Sequence, residues 1–213
     1  MNVANFENEK WREKKQGINF RLKTALGMIE KGPILDLGCG DGIFLELLKE
    51  KGIAGEGLDI SEVAVEKAKN KGFLAKQFDF GGSPLPFADG AFASAVLLDV
   101  LEHLYQPQNV LREAGRVARE VVAAVPNFNS LPARLQALRG RAPENNLPKK
   151  GHIYWFNLSV LENLLKESGL AIAEMKTNTI FENRFLLKDI FKLLAKVFPS
   201  LFALSFVVKA KKL

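Results

Sequence analysis

The chain alternates between short apolar runs and longer segments whose apolar residues recur at helical spacing. Runs without polar alternation are typical of strands buried on both faces of a parallel sheet, and the intervening segments are typical of amphipathic helices. This order predicts an α/β fold with a doubly wound sheet and helices on both faces. The predicted strands are residues 33–37, 53–60, 73–78, 92–98, 121–125, 170–177 and 201–209.

We interpret the chain as a single domain of 213 residues. Residues 5–31 are predicted to form one helix that packs beside the sheet. Residues 127–151 break the strand and helix rhythm with three prolines, so we interpret them as an inserted cap over the open edge of the sheet. The predicted parts are therefore an N-terminal helix (1–32), a core (33–126), the cap (127–151) and the C-terminal helices and last strands (152–213).

Length and cysteine content narrow the class of protein. A chain of 213 residues can bury a substantial core as one domain. It has one cysteine, which excludes an intramolecular disulfide, and we find neither a signal peptide nor an uninterrupted apolar run of about 18 residues. We therefore expect a cytoplasmic protein.

Charge is distributed unevenly along the chain. Residues 1–126 hold 16 Lys and Arg against 18 Asp and Glu, whereas residues 127–213 hold 14 against 6. A basic region is typical of contact with something anionic, and it equally suits a solvated surface. The chain shows no added nucleic-acid-binding module and most of its aromatic residues are phenylalanines at core spacing, so we do not expect nucleic acid as the partner.

The most informative stretch is residues 34–42, which read Ile-Leu-Asp-Leu-Gly-Cys-Gly-Asp-Gly. A buried strand that runs into a glycine-rich turn and then into a helix presents backbone amides to a ligand, as in nucleotide-cofactor sites. Asp59 ends the second strand, 23 residues after Asp36, where a carboxylate accepts hydrogen bonds from the ribose of an adenosine. Asp79 and residues 99–104 follow the third and fourth strands, at the same expected edge of the sheet.

Residues 34–42 resemble motif I of class I S-adenosylmethionine-dependent methyltransferases, and Asp79 and residues 99–104 resemble later motifs of that family. Dinucleotide dehydrogenases more often carry GxGxxG than the GxGxG pattern seen here. The resemblance implies a Rossmann-like seven-stranded sheet with an antiparallel last strand, and S-adenosylmethionine as the cofactor, with S-adenosylhomocysteine as product. The contacts that it implies are Asp36, Gly38, Cys39 and Gly40 at the methionine moiety, Asp59 at the ribose, Ile60, Asp79 and Phe80 at the adenine, and Leu97 beside the sulfonium.

The second half of the chain resembles the MetW-like branch of these methyltransferases. The resemblance rests on Val-Pro-Asn-Phe at 125–128, Arg134, Leu-Arg-Gly-Arg at 138–141 and Gly-His at 151–152. The segment Asp-Val-Leu-Glu-His at 99–103 is closer to ubiquinone-type and general small-molecule methyltransferases. The resemblance therefore does not extend to a role in methionine metabolism.

Asp99, Glu102 and His103 have the spacing that places three side chains on one face of a helix. We interpret them as a polar cluster that shapes the acceptor pocket. In some relatives a Glu-x-x-Glu-His segment binds Mg²⁺, so a metal site formed by these three residues and His152 is the alternative. If an oxygen acceptor must lose a proton, His103 is our first candidate for the base and His152 the second.

The basic residues of the second half fall into two groups. One group lies in the cap and is a candidate for gripping an anionic acceptor, although these side chains equally suit a soluble surface. The other, Lys188, Lys192 and Lys196, repeats every four residues on a predicted amphipathic helix, residues 184–198. We favour a helix packed between the last two strands over an interfacial helix that contacts a membrane peripherally. The basic residues of the cap are Arg134, Arg139, Arg141, Lys149 and Lys150.

These patterns together predict a methyltransferase that uses S-adenosylmethionine to methylate oxygen or nitrogen of a small acceptor, either anionic or lipid-linked. The first alternative is a non-catalytic, MetW-like regulatory partner that still binds S-adenosylmethionine. The others are an RNA-directed methyltransferase and a nucleotide-dependent oxidoreductase.

Overall fold

The computed structural model describes residues 3–13, 17–30, 32–181 and 187–213. Its strands are β1 (Ile34–Leu37), β2 (Gly55–Asp59), β3 (Leu74–Gln77), β4 (Phe92–Leu98), β5 (Ala118–Pro126), β6 (Leu170–Thr179) and β7 (Ala203–Lys212). They form one seven-stranded sheet in the order β3-β2-β1-β4-β5-β7-β6, in which only β7 runs antiparallel to its neighbours. The prediction of a mostly parallel, Rossmann-like sheet with an antiparallel last strand is confirmed.

Helices cover both faces of the sheet, as predicted. Leu111 and Leu161 pack with Val121 on one face, and Leu22 and Phe44 pack with the next strand residue, Val122, on the other. Successive side chains of a strand point to opposite faces, so the uninterrupted apolar run of β5 serves two cores at once. The helices are α1 (Val3–Glu13), α2 (Phe20–Leu26), α3 (Ile43–Glu50), α4 (Glu62–Asn70), α5 (Pro107–Val117), α6 (Leu131–Leu138), α7 (Leu158–Glu167), α8 (Lys188–Val197) and α9 (Pro199–Phe202).

The N-terminal region differs from the single helix predicted over residues 5–31. It contains two helices, α1 and α2, with residues 17–19 outside both. Asn19 starts the second helix because its extended backbone lets the side-chain oxygen accept a hydrogen bond from the Leu22 N–H, at 3.1 Å. Only α2 packs against the sheet, whereas α1 lies on α4.

Two predicted boundaries also shift. The strand predicted over 121–125 is β5, which begins earlier, at Ala118, because this residue pairs with Phe92 of β4, and the preceding helix α5 ends at Val117. The helix predicted over 184–198 is α8, which spans Lys188–Val197, and its expected first residues lie outside the described part of the chain.

The direction of the strands defines one functional edge. Because β6 is antiparallel to β7, and β7 is antiparallel to β5, β6 runs in the same direction as the parallel strands. The connections that follow β1, β2, β4, β5 and β6 therefore all leave the same edge of the sheet. In the part of the chain that the structure describes, no helix combines the length and the apolar character needed to cross a membrane.

Candidate active site

A cavity of about 730 Å³ lies at this edge, where β1, β2 and β4 end. Its volume falls in the range of small-molecule and cofactor sites. The wall comes from α1, the turn after β1, the end of β2, residues 79–84, residues 98–106 and the first half of α5. Parallel strands thus bring segments from the whole first half of the chain to one place.

The glycine turn, residues 38–42, needs its glycines for two reasons. Gly38, Gly40 and Gly42 all have positive φ, of 81°, 55° and 83°, which residues with a side chain rarely adopt. A Cβ on Gly38 would lie 2.3 Å from Cγ2 of Val100, and one on Gly42 would lie 2.8 Å from Cδ2 of Phe73. Close packing under the turn therefore excludes any side chain at these positions.

Asp59 joins the glycine turn to the end of β2. The Gly40 N–H donates to its Oδ2 at 2.8 Å, and the Ser61 N–H donates to its Oδ1 at 2.9 Å. A carboxylate oxygen has two lone pairs, so each oxygen keeps one for a ligand hydroxyl. Burial raises the pKa of Asp59, whereas the two backbone hydrogen bonds lower it. The carboxylate is thus held in one orientation on the cavity wall.

Asp36 is a second buried carboxyl beneath this turn. Burial, and then the charge of Asp59, raises the pKa of Asp36 to about 8. Its Oδ2 has no hydrogen-bond partner in the described residues. A buried acceptor without a partner is costly, and the positive charge of a ligand ammonium above the turn would offset part of that cost electrostatically. The carboxylate groups around the glycine turn therefore fit the ribose and the amino acid portion of S-adenosylmethionine.

The predicted cofactor residues divide into two groups. Gly38, Asp59, Ile60, Asp79 and Phe80 line the cavity. The remaining four, in the described structure, lie behind its wall. Cys39 is a buried thiol that packs against Gly57, and burial raises its pKa, so its side chain points into the core. Leu97 is fully buried in the core, and its neighbour Leu98 lines the cavity. The group behind the wall is Asp36, Cys39, Gly40 and Leu97.

Helix α1 forms a wall of the cavity that sequence reasoning missed. Trp11 is buried and lines the cavity together with Val3, Glu7 and Lys10. Three hydrogen bonds hold α1 on α4. The Ser61 hydroxyl and the Val63 N–H donate to Oδ1 of Asn8, at 2.7 and 3.4 Å, and the Lys67 ammonium donates to the Trp11 carbonyl oxygen. A tryptophan within an otherwise strongly charged segment was the available signal for this buried face.

The structure also brings together Glu102, His103 and His152, which we call the acceptor cluster. One potential ligand atom from each residue lies within 4.8 Å of the others. His103 lines the cavity, and its ring centroid is 4.9 Å from that of His152, which lies behind it in the described structure. The backbone ties the two segments together, because the N–H groups of Ile153 and Tyr154 both donate to the Glu102 carbonyl, at 2.8 and 3.0 Å.

The hydrogen bonds of the two histidines fix which ring nitrogen carries the proton. Nδ1 of His103 is 3.0 Å from the Gly151 carbonyl oxygen, and Nδ1 of His152 is 2.8 Å from that of Asn145. A carbonyl only accepts, so both Nδ1 atoms donate and each neutral ring keeps Nε2 as its basic atom. Burial lowers the pKa of His152, which favours its neutral form.

Glu102 is only 1% exposed, and its Oε2 has no hydrogen-bond partner in the described residues. Burial, and then the charge of Asp99, raises the pKa of Glu102 to about 8. Its Oε1 lies 3.9 Å from Nε2 of His152. A carboxylate and two imidazole nitrogens are a plausible ligand set for a transition metal.

Asp99 lies outside the acceptor cluster, although the sequence grouped it with the three residues. It has a positive φ of 60°, and its carboxylate pairs with Arg21 of α2 at 2.8 Å. Residues 101–103 form a short 3₁₀ turn rather than an α-helix, so the spacing that predicted one shared face does not hold.

The basic residues of the cap do not line the cavity in the described structure. Arg134 donates to the Asn129 carbonyl at 2.9 Å, and Lys150 lies 3.8 Å from Glu144. The cap instead reaches the site through its backbone, because the carbonyls of Asn145 and Gly151 orient the two histidines. The interpretation that these basic side chains grip an acceptor remains a prediction.

A glycine turn, a ribose-type acidic residue and this strand order together define the class I S-adenosylmethionine-dependent methyltransferase fold. The family model described as "Methionine biosynthesis protein MetW" matches residues 21–190. The chain therefore belongs to the MetW family.

Individual relatives support the same class. The chain is 29% identical over 160 residues to the 27-O-demethylrifamycin SV methyltransferase of Amycolatopsis mediterranei, a match that covers 70% of this chain and 58% of that protein. It is 25% identical over 181 residues to the ubiquinone biosynthesis O-methyltransferase of Alkalilimnicola ehrlichii, covering 79% and 73%. This chain thus spans little more than half the length of the first relative.

Solved structures share the fold. The magnesium protoporphyrin IX methyltransferase of Synechocystis PCC 6803, crystallised with bound S-adenosylhomocysteine, superposes with a TM-score of 0.68 at 17% identity. The match covers 99% of this chain and 98% of that one. At this identity the similarity shows the fold, so the chemistry of this chain must be argued from its own site.

Proposed function

We propose that this protein transfers a methyl group from S-adenosylmethionine to oxygen or nitrogen of a small acceptor. The observation that carries the proposal is the cavity at the functional edge, where the glycine turn and the Asp59 carboxylate are held together by a 2.8 Å hydrogen bond. When bound, S-adenosylmethionine supplies an activated methyl group on a sulfonium. Asp59 would hold the ribose, and Asp36 would compensate the ammonium of the methionine moiety.

The chain's main task in such a reaction is positioning. Approximation of two well-held reactants accounts for roughly 7 to 11 kcal/mol of a barrier. Helix α1 and residues 79–84 form two walls of the cavity and restrict water, and Leu98 presents an apolar side chain near the end of β4. This arrangement would hold the donor while leaving the acceptor cluster to receive the acceptor.

His103 is the better placed of the two candidate bases. It lines the cavity, whereas His152 lies behind it in the described structure. The Gly151 carbonyl holds the proton of His103 on Nδ1, so Nε2 would take the proton of an acceptor hydroxyl. His152 would act as a positioning residue that packs against the His103 ring.

Two measurements test this proposal. S-adenosylhomocysteine should raise the melting temperature and NADH should not, because the site holds a ribose-type acid but no pyrophosphate loop. His103→Ala should lower kcat by about 10²- to 10⁴-fold with little change in S-adenosylhomocysteine affinity. Unchanged turnover would eliminate His103 as the base, and cofactor binding without turnover on any acceptor would favour the regulatory alternative.

The second part of the proposal concerns the chemical class of the acceptor. We infer an anionic or lipid-linked acceptor, with peripheral contact to a membrane through the helix predicted at 184–198. The excess of basic residues in 127–213 and the similarity to a ubiquinone biosynthesis O-methyltransferase support this inference. A panel of carboxylated, phosphorylated and prenylated phenols, matched to neutral analogues, tests it. Turnover confined to RNA would replace it with the RNA-directed alternative.

The acceptor cluster supports a second candidate, methyl transfer assisted by a divalent cation. Both histidines donate Nδ1–H to a backbone carbonyl and carry their basic atom at Nε2, which is the arrangement that orients metal-binding histidines. Glu102, His103 and His152 would hold the ion, and the ion would polarise an acceptor oxygen.

Metal binding to the protein alone tests this candidate without an activity assay. Isothermal titration with Zn²⁺ or Mn²⁺ should show one site that Glu102→Gln removes. Glu120→Gln is the matched control, because Glu120 is also a buried carboxyl group and pairs with Lys211 at 2.9 Å, outside the cluster. Equal binding by the wild type and Glu102→Gln would contradict a metal site at these residues.

A further inference from the structure

Helix α8 carries apolar side chains on two separate faces. Phe191, Leu194 and Ala195 form the packed face, where the Phe191 ring makes edge contacts with Phe181 and Phe202. Ile190, Leu193 and Val197 are 55%, 62% and 58% exposed. Packing against the sheet therefore explains one apolar face and leaves the other unexplained.

The exposed apolar residues form a continuous stripe. Spacings of three and four residues place Ile190, Leu193 and Val197 on one side of the helix, and Phe198, which is 56% exposed, directly follows the last helical residue. Soluble surfaces carry scattered apolar side chains, whereas a contiguous stripe along one helix marks an interaction site.

Three lysines form a row beside this stripe. Lys188, Lys192 and Lys196 are exposed and follow one another at four-residue spacing, so the row starts on the far side of the helix at Lys188 and comes nearest to the stripe at Lys196. The helix has one acidic residue, Asp189. The cores of protein interfaces are depleted of lysine, whereas interfacial helices at anionic lipids are rich in it. Lysine side chains also extend past an apolar stripe to keep their charge at the headgroups.

The position of α8 relates this surface to the cavity. Helix α8 follows β6, which runs parallel to β1 and β2, so it leaves the same sheet edge as the cavity. Helix α6 follows β5 at that edge as well, and it exposes Leu135 and Leu138 beside basic residues of the cap. Two segments at one edge thus combine exposed leucines or other apolar residues with positive charge.

We propose that the exposed stripe of α8, Ile190, Leu193 and Val197, docks on the surface of an anionic bilayer together with Phe198, and that the row of Lys188, Lys192 and Lys196 adds electrostatic attraction to the lipid headgroups. Docking would turn the functional edge of the sheet toward the membrane. The inference rests on the proposed function, since a lipid-linked acceptor would then reach the cavity from the membrane side.

Vesicle co-sedimentation of the whole protein tests docking. At low salt the protein should bind vesicles of phosphatidylcholine and phosphatidylglycerol (3:1), and binding to phosphatidylcholine alone should be at least tenfold weaker. Each lysine near an anionic surface contributes about fivefold in affinity. The variant Lys188→Gln, Lys192→Gln, Lys196→Gln should therefore bind at least tenfold more weakly, as should Ile190→Gln, Leu193→Gln, Val197→Gln.

Matched controls distinguish docking by α8 from a general effect of net charge and from a general effect of exposed apolar residues. The variant Lys51→Gln, Lys69→Gln, Lys166→Gln removes three exposed lysines near the carboxyl ends of α3, α4 and α7, and Leu74→Gln removes an exposed apolar residue of β3. Both should bind vesicles within twofold of the wild type. No binding of wild type to anionic vesicles, or equal loss in the controls, would overturn the proposal.

S-adenosylhomocysteine thermal shifts on the same samples separate this inference from the proposed function. A shift that persists in variants without vesicle binding confirms that α8 acts apart from the cofactor site. A wild type that shows the shift but ignores vesicles overturns membrane docking alone. A wild type without the shift overturns the proposed function, whatever the vesicles show.

Discussion

The cofactor side of the site and the acceptor side each enclose a buried carboxyl group, Asp36 in one and Glu102 in the other, and burial raises the pKa of both to about 8. The cofactor side is centred on residues 34–61, where neighbouring parallel strands place Asp59 against the glycine turn. The acceptor side joins residues 102–103 to 145–154, about fifty positions later. The comparison shows that the central residues predicted to bind the donor lie close together in the chain, whereas the acceptor cluster depends on contacts with the distant cap.

At the end of β4, Leu97 belongs to the core whereas Leu98 lines the cavity. Leu97→Ala should lower the free energy of unfolding by about 2 to 5 kcal/mol, because it empties space in the core. Leu98→Ala should cost less stability and should weaken S-adenosylhomocysteine binding, because Leu98 lines the cavity. Urea unfolding and ligand titration of both variants measure the difference. If the folded Leu97→Ala variant bound S-adenosylhomocysteine more weakly and Leu98→Ala did not, then Leu97 rather than Leu98 would be the residue that contacts the ligand.

Asp59 should be the most important single contact on the cofactor side. Asp59→Ala should weaken S-adenosylhomocysteine binding by roughly 100-fold or more, because it removes charged acceptors that each contribute about 1.5 to 3 kcal/mol. Glu56→Ala is the control on the same strand. Glu56 pairs with Lys76 at a distance of 2.8 Å, and in the described structure it does not line the cavity. Equal losses in the two variants would contradict a ribose contact by Asp59.

The two buried carboxyls should differ in their response to the cofactor. Without ligand, Asp36 is protonated below about pH 8, and an ammonium favours its charged form, so binding at pH 7 should release close to one proton. Affinity should then rise with pH by up to about tenfold per unit and level off above pH 8. Calorimetry in buffers of different ionisation enthalpy measures the release, which Asp36→Asn should abolish and Glu102→Gln should retain.

The smallest expected effect concerns the attachment of α1 to the cofactor side. Ser61 caps α4 through the Ala64 N–H and also donates to Asn8 of α1. Ser61→Ala should cost about 1 kcal/mol of stability, a typical value for a lost helix cap. Asn157→Ala removes the matching cap of α7, where the Asn157 side chain accepts from the Val160 N–H of its own helix.

The two N-cap variants, Ser61→Ala and Asn157→Ala, should differ in their effect on the stability of α1. Ser61→Ala should increase hydrogen exchange and proteolysis within residues 3–13, and Asn157→Ala should leave both unchanged. Identical protection of α1 in the two variants would show that the bond between Ser61 and Asn8 does not hold the helix.

Local features were predictable from the sequence, and long-range ones were not. The helix start at Ser61, the glycine turn and Asp59 all follow from residues close in the chain, and the structure places them as expected. The contact of α1 with the cavity depends on tertiary packing, and its only signal was Trp11. Periodicity could not reveal it because the other residues of α1 are mostly polar.

The acceptor cluster shows the same limit. Helical spacing grouped Asp99 with Glu102 and His103, but Asp99 takes a positive φ and turns to Arg21. His152 joins the cluster through backbone bonds from residues 153 and 154 to the Glu102 carbonyl, which no pattern of side chains encodes. A backbone turn between two elements decided which side chains meet.

The placement of α1 has a kinetic consequence. In the proposed reaction S-adenosylhomocysteine must leave after every cycle, and one wall of its chamber is a helix anchored by Asn8 and by the Trp11 carbonyl. Exchange of spent donor for fresh donor would then be paced by the opening of that helix rather than by the methyl transfer step. Loosening the anchor would make the enzyme faster at saturating donor and poorer at retaining it when donor is scarce.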